Sequence, residues 1–153
     1  MQVCFNEWNR KTHIHTHTHK SIHNPTFFPT GADCQQQGYT LNAQSGSVAS
    51  GLCVEIPCTF TVPAGSTLST CVTGIWHKIM TATIVAASTN ASMVSERTKG
   101  RFTLTGKVQE GNCSFSISNA QPADRGIYEF RIEDGNHKFS YSWYRLRVSV
   151  TGE

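Results

Sequence analysis

Over most of the chain, from Tyr39 onward, apolar residues recur at every second position in short runs, the period of a half-buried strand rather than of a helix. In VEIPCTF the residues Val54, Ile56, Cys58 and Phe60 fall on one face, while Glu55 and the preceding Cys53 fall on the other. The same alternation groups Cys113, Phe115 and Ile117 in NCSFSIS. In IYEFR it groups Tyr128 with Phe130 and turns Glu129 and Arg131 outward, so that Arg131 is expected to stand exposed. Gly, Pro, Ser and Asn separate the runs, which predicts strands over YTLNAQS, GIWHKI, TIVAAS, GRFTLTG, NCSFSIS, GIYEFRIE and GNHKFSYSWYRLRV. SVASGLCVEIPCTFTV reads as a turn leading into one long strand. Gly, Pro and β-branched residues interrupt every candidate helix, so the fold class is all-β, a two-sheet antiparallel sandwich.

Two signatures narrow that sandwich to the immunoglobulin variable type, the V-set. Asp124-x-Gly126-x-Tyr128 marks the approach to strand F, where the tyrosine bonds back to the backbone upstream, and Trp76 is the expected buried tryptophan of strand C. The interval between strands C and D is long enough for extra edge strands, as the variable type requires. Arg101 and Asp124 are expected to form a buried-edge ion pair. Two positions after the tyrosine, where antibody domains carry a cysteine, this chain has Phe130, so the usual bridge between strands B and F is absent. Cys58 and Cys113 face inward on strands B and E, neighbours in one sheet, and are expected to pair instead. Their loop of about 55 residues corresponds to roughly 4 kcal/mol in the chain-entropy treatment. Cys34 and Cys71 precede strands at the same end of the sandwich and form a candidate second pair.

A length of 153 residues suits one domain, placed at 38–152. Residues 1–37 lack alternation, helical period or a sustained apolar run, and read as a disordered low-complexity segment without a secretory signal. Within it, His13, His15, His17 and His19 alternate with other residues, a spacing that can chelate a soft divalent metal from one side of an extended strand. A translated CACACA repeat explains the run more simply. The net charge of +3 is scattered, which argues against a nucleic-acid partner. Six cysteines without a CxxC pair point to an oxidising compartment and disulfides rather than to a metal site, and no cofactor is expected. His77 and His137 stand apart from any nucleophile or paired carboxylate, so catalysis is not expected. No run of about 18 or more apolar residues occurs, so this stretch is not expected to span or contact a membrane itself. Asn90-Ala-Ser and Asn112-Cys-Ser are N-glycosylation sequons, usable only in the secretory pathway.

From Tyr39 to Thr151, about three-quarters of the chain, the sequence resembles the N-terminal variable-type domain of the siglecs, the sialic-acid-binding immunoglobulin-like lectins. GLCVEIPCTF, GNCSFSI, YEFR and GNHKFSYSWYRLRV carry the resemblance. It implies that Arg131 forms a bidentate salt bridge with the carboxylate of a terminal sialic acid, which the planar guanidinium suits better than a lysine would. It also implies that Phe139 packs on the sugar's glycerol chain, with Lys138 and Ser140 beside it, and that Tyr39 meets the acetamido methyl. Relatives often carry tryptophan where Phe139 stands, so this contact offers a smaller face and no N–H donor. Cys53 is implied to link to a following constant-type domain. The implied partners are sialylated glycoproteins or glycolipids, met at the extracellular side of the plasma membrane by a longer, membrane-anchored receptor, or by a secreted form. A variable-type receptor module that binds a protein ligand without recognising sialic acid is the alternative.

Overall fold

The computed structural model describes residues 37–152. The His13 to His19 run, Cys34 and the remainder of the segment expected to be disordered, apart from Gln37, lie outside the described residues.

The described chain is built of strands: β1 (Thr40–Ala43), β2 (Gly46–Ala49), β3 (Val54–Ile56), β4 (Cys58–Thr61), β5 (Thr73–Ile79), β6 (Ile84–Ser88), β7 (Phe102–Leu104), β8 (Phe115–Ile117), β9 (Gly126–Asp134), β10 (His137–Ser140) and β11 (Leu146–Thr151). One sheet runs β2-β11-β9-β5-β6, with β10 also paired to β9, and the other runs β3-β8-β7. β1 pairs with β4, and a Thr59–Asn112 bridge with a Cys113 N–H to Cys58 carbonyl bond extends the β3–β8 pairing along β4. The all-β sandwich expected from alternation is therefore the fold.

Three elements differ from the sequence expectation. Residues 46–49 form β2, a strand of the opposite sheet paired parallel to β11, rather than a turn into strand B. Its single buried residue, Val48, gives too short an alternation to read as a strand. The long strand B is divided at Pro57, which has no N–H for the ladder, and Cys58 N–H turns to the Ser114 hydroxyl instead. The last run is divided as well: Tyr141 N–H bonds the Phe130 carbonyl and Leu146 pairs with Tyr128, so Ser142, Trp143, Tyr144 and Arg145 bulge out opposite the single residue Glu129.

Between the sheets, Trp76 is fully buried against Phe115 and Phe130, at ring separations of 4.7 and 5.3 Å, and its indole N–H donates to the Cys113 carbonyl at 2.8 Å. Tyr128, also fully buried, donates its hydroxyl to the Asp124 carbonyl at 2.6 Å, the upstream bond that the Asp-x-Gly-x-Tyr pattern predicts. The glycine of that pattern has its own reason. Lys78 runs across Gly126 to donate to the Ala123 carbonyl, and a Cβ at Gly126 would come within 2.7 Å of Lys78 Cε. Burial lowers the Lys78 pKa, with Asp124 opposing the shift.

Cys58 and Cys113 form a disulfide across the β4–β8 side of one sheet, with Cα atoms 4.9 Å apart. One other cysteine expectation needs correction. Cys71 is an exposed free thiol, so the Cys34–Cys71 pair does not form. Cys53 is disulfide-bonded.

Candidate functional site

The outer face of β9 concentrates the charge of the domain. Glu129, Arg131 and Glu133 alternate along it, opposite His77, Ile75 and Thr73 of β5 on one side. On the other side Arg131 faces Ser140 and Glu133 faces Lys138 of β10. Directly opposed residues of an antiparallel pair share a face, so Arg131, Glu133, Lys138 and Ser140 form one polar group at the edge of the sheet.

Arg131 is not free in this group. Its Nε donates to Glu133 Oε1 at 2.8 Å and its Nη1 to the Ser140 hydroxyl at 2.9 Å, while Nη2 has no hydrogen-bond partner among the described residues. Its side chain is 27% exposed, so the arginine expected to stand exposed is half-buried. Alternation placed Arg131 on the right face, but it also places the i+2 residue there, within reach of a long guanidinium. The second oxygen of Glu133 lies 3.8 Å from Lys138 Nζ. The bond from Arg131 holds the Glu133 carboxyl below its ordinary pKa, so it is ionised at neutral pH. Lower on the same strand, Arg145 reaches back from the bulge to Glu129 at 2.8 Å. Between the two pairs stands His77, whose pKa burial lowers, with Glu129 opposing, so it is neutral at pH 7 and adds no charge beside Arg131.

The two aromatic candidates sit differently. Phe139 pairs with the buried Ile132, which turns it to the face opposite Arg131. There it stacks on Tyr39 at 3.6 Å between ring centroids and 7° between planes, with the Tyr141 ring edge-on at 4.9 Å. The Tyr39 hydroxyl is 2.6 Å from His137 Nε2. The structure thus brings Arg131, Lys138 and Ser140 together on one face and places Phe139 and Tyr39 together on the other side of β10.

That strand is the meeting line between them. Among the described residues β10 pairs only with β9. Tyr141 N–H bonds the Phe130 carbonyl, so by antiparallel alternation the N–H and C=O groups of Lys138 and Ser140 point away from β9, toward the open edge. A small polar carboxylate laid over the edge can therefore meet a guanidinium fork, backbone donors and acceptors, and an aromatic pair within the width of one strand. Glu133 was missed as a site residue, although the spacing Arg131-Ile132-Glu133 on a strand was its visible signal.

The two sequon asparagines are both exposed. Asn90 caps the 3-10 turn Ala91–Met93 and accepts from Ser92, and Asn112 accepts from Ser114 N–H. Both use Oδ1, so these contacts do not engage Nδ2, the atom that carries an N-linked glycan.

The immunoglobulin V-set domain family matches over residues 42–151. The chain is 41% identical over 113 residues to sialic acid-binding Ig-like lectin 12 of Homo sapiens, covering 71% of this chain and 19% of that protein. It is 37% identical over 123 residues to sialic acid-binding Ig-like lectin 9 of Homo sapiens, covering 76% of this chain and 27% of that protein. The chain therefore spans only about a fifth to a quarter of the curated relatives it matches. Among solved structures, the human B7-H4 IgV-like domain superposes with a TM-score of 0.54 at 20% identity, over 73% of this chain and 96% of that one. Murine CRIg does so with a TM-score of 0.56 at 17% identity, over 74% and 98%. These two likenesses show the fold alone. With the family match over most of the described region and the lectins at this identity, the chain belongs to the immunoglobulin V-set family, as a siglec-like domain.

Proposed function

We propose that this domain binds terminal sialic acid on glycoproteins or glycolipids through Arg131, without metal and without chemical change. The observation that carries the reading is the half-buried Arg131 fork at the open edge of β10, with Nη2 unbonded among the described residues and Ser140 beside it. A ligand carboxylate would take the Nε–Nη2 side of the guanidinium, where Glu133 now bonds Nε. The edge amides and carbonyls of Lys138 and Ser140 would take the acetamido and hydroxyl groups, and the Phe139–Tyr39 stack would border the apolar parts of the sugar. The names of the lectins at about 40% identity support the same class of ligand. As part of a longer receptor the domain would act at the outer surface of a cell.

One sugar on a shallow edge gains few bonds against the cost of association, so single-site binding is weak and useful adhesion depends on clustered ligands. The test is display of the domain on beads, with binding to cells compared before and after sialidase. Arg131→Ala removes a charge-assisted bidentate contact, and a loss of about 10- to 100-fold is expected, from roughly 1.5–3 kcal/mol for a bond to a charged group. Arg131→Lys should recover little of it, because a point charge does not reproduce the fork. Binding that survives both sialidase and Arg131→Ala would leave a protein-recognition domain in place of a lectin.

A further inference from the structure

Resting on the sialic-acid reading of Arg131, we infer that Glu133 is a built-in competitor for the ligand carboxylate and that Lys138 is the group to which it withdraws when ligand binds. Glu133 presents to Arg131 the same chemical group that the ligand would bring, from the same face, through a single bond to Nε. That bond is replaceable. The Glu133 side chain is 30% exposed and Arg131 27% exposed, and ion pairs at such exposure hold weakly, because water and salt screen them.

The other carboxylate oxygen already lies 3.8 Å from Lys138 Nζ, just beyond a direct hydrogen bond, and Lys138 is 52% exposed with its stem free to move. A small rotation of Glu133 therefore exchanges its Arg131 contact for a closer Lys138 contact. The displaced charge is not left unpaired. The incoming carboxylate then gains the full side of the guanidinium, while Ser140 keeps the plane fixed through Nη1. Without Lys138, Glu133 has no second cation among the described residues at this edge and stays on Arg131, where it both blocks and repels an anion. Affinity is thus set by three residues, one of which opposes binding.

A double-mutant cycle on Glu133 and Lys138, read with a multivalent sialoside on the folded domain, tests this. Glu133→Gln keeps the shape and removes the charge, and is expected to strengthen sialidase-sensitive binding about 3- to 10-fold. Lys138→Ala is expected to weaken binding about 3-fold in the wild-type background and to have little effect beside Glu133→Gln, because there is then no charge to withdraw. The ¹⁵N-edited signal of the Arg131 Nε–H, read without ligand, should be protected from exchange in the wild type and lose that protection in Glu133→Gln. Unchanged or weaker binding by Glu133→Gln overturns the inference and makes Glu133 a positioning residue for Arg131. An equal cost of Lys138→Ala in both backgrounds also overturns it, since Lys138 would then act on the ligand directly. If no variant shows sialidase-sensitive binding, the lectin reading fails and this inference with it. Loss of binding in Arg131→Ala with no gain in Glu133→Gln removes this inference alone.

Discussion

Replacing Cys58 and Cys113 together by alanine is expected to remove about 4 kcal/mol of stability, the largest single loss that any local change in this domain should produce. The bridge closes a sequence separation of 55 residues, and the chain-entropy treatment assigns a loop of that length about 4 kcal/mol at 25 °C. Packing adds to it, since Cys58 is 2% exposed and Cys113 fully buried, and neither sulfur volume can be refilled by a methyl group. A domain of this size typically keeps only about 5–15 kcal/mol in total, so the variant should melt roughly 15–20 °C lower. Thermal unfolding followed by tryptophan fluorescence reads this directly, because the Trp76 indole is bonded to the Cys113 carbonyl. The exposed thiol supplies the control: Cys71→Ser should leave the midpoint within the small range of ordinary surface changes. A double alanine variant that melts within a few degrees of the parent would mean that β-sheet packing alone holds β4 to β8.

Where residues alternated over four or more positions, their faces could be read from the chain. Phe60, Phe115, Tyr128 and Phe130 lie in the core, as their parity required, and Trp76 lies there as the strand C signature required. The disulfide between Cys58 and Cys113 was legible for the same reason, because inward parity on neighbouring strands leaves few possible partners. What could not be read was set by contacts distant in sequence. β2 exists because β11 offers it a parallel partner about a hundred residues later, and nothing in Gly46–Ala49 records that. Cys71 shows the same limit, since its pairing depends on which segment passes nearby and not on its own strand.

The site divided along the same line. Arg131 was found through its strand motif, and Lys138 and Ser140 follow from the register of β10. Phe139 sits between them in sequence and therefore on the opposite face, a consequence of period-two geometry that the family resemblance did not bring out. Its stack with Tyr39 requires the chain ahead of β1 to return to β10, a tertiary fact. The Arg131–Glu133 contact was local and readable, but an isolated arginine on a strand draws attention to itself and away from its neighbour two positions on.

Asp124→Ala is expected to cost about 3 kcal/mol, second only to the disulfide, because it strips a partly buried arginine of its counter-charge. Asp124 is 3% exposed and accepts from Arg101 Nη1 at 2.6 Å, from Arg101 Nη2 at 2.8 Å and from the Gln121 N–H at 2.8 Å. The paired bonds raise the Arg101 pKa above its ordinary value, and because an arginine stays charged even without such a partner, the guanidinium cannot shed its proton when Asp124 is removed. Arg101, 15% exposed, would keep the carbonyls of Asn119 and Arg97 and the face of the Phe102 ring, 5.6 Å from its centroid. Breaking a buried pair from one side typically costs about 3–5 kcal/mol, and those two carbonyls place this one at the lower end. Asp124→Asn separates charge from shape, since an amide oxygen can still accept from Gln121 but cannot neutralise Arg101, and most of the loss should remain. Adding Arg101→Met to Asp124→Ala should recover part of the stability, because the orphaned charge is then gone. The Asp124–Arg101 pair stands ahead of β9, while Arg131 lies well along the strand at roughly 3.4 Å per residue, so folded protein should bind as the parent does. Chemical denaturation of the three variants measures the cycle. A loss below about 1 kcal/mol for Asp124→Ala, or a double variant less stable than Asp124→Ala, would mean that the pair is held by the sandwich and does not help to hold it.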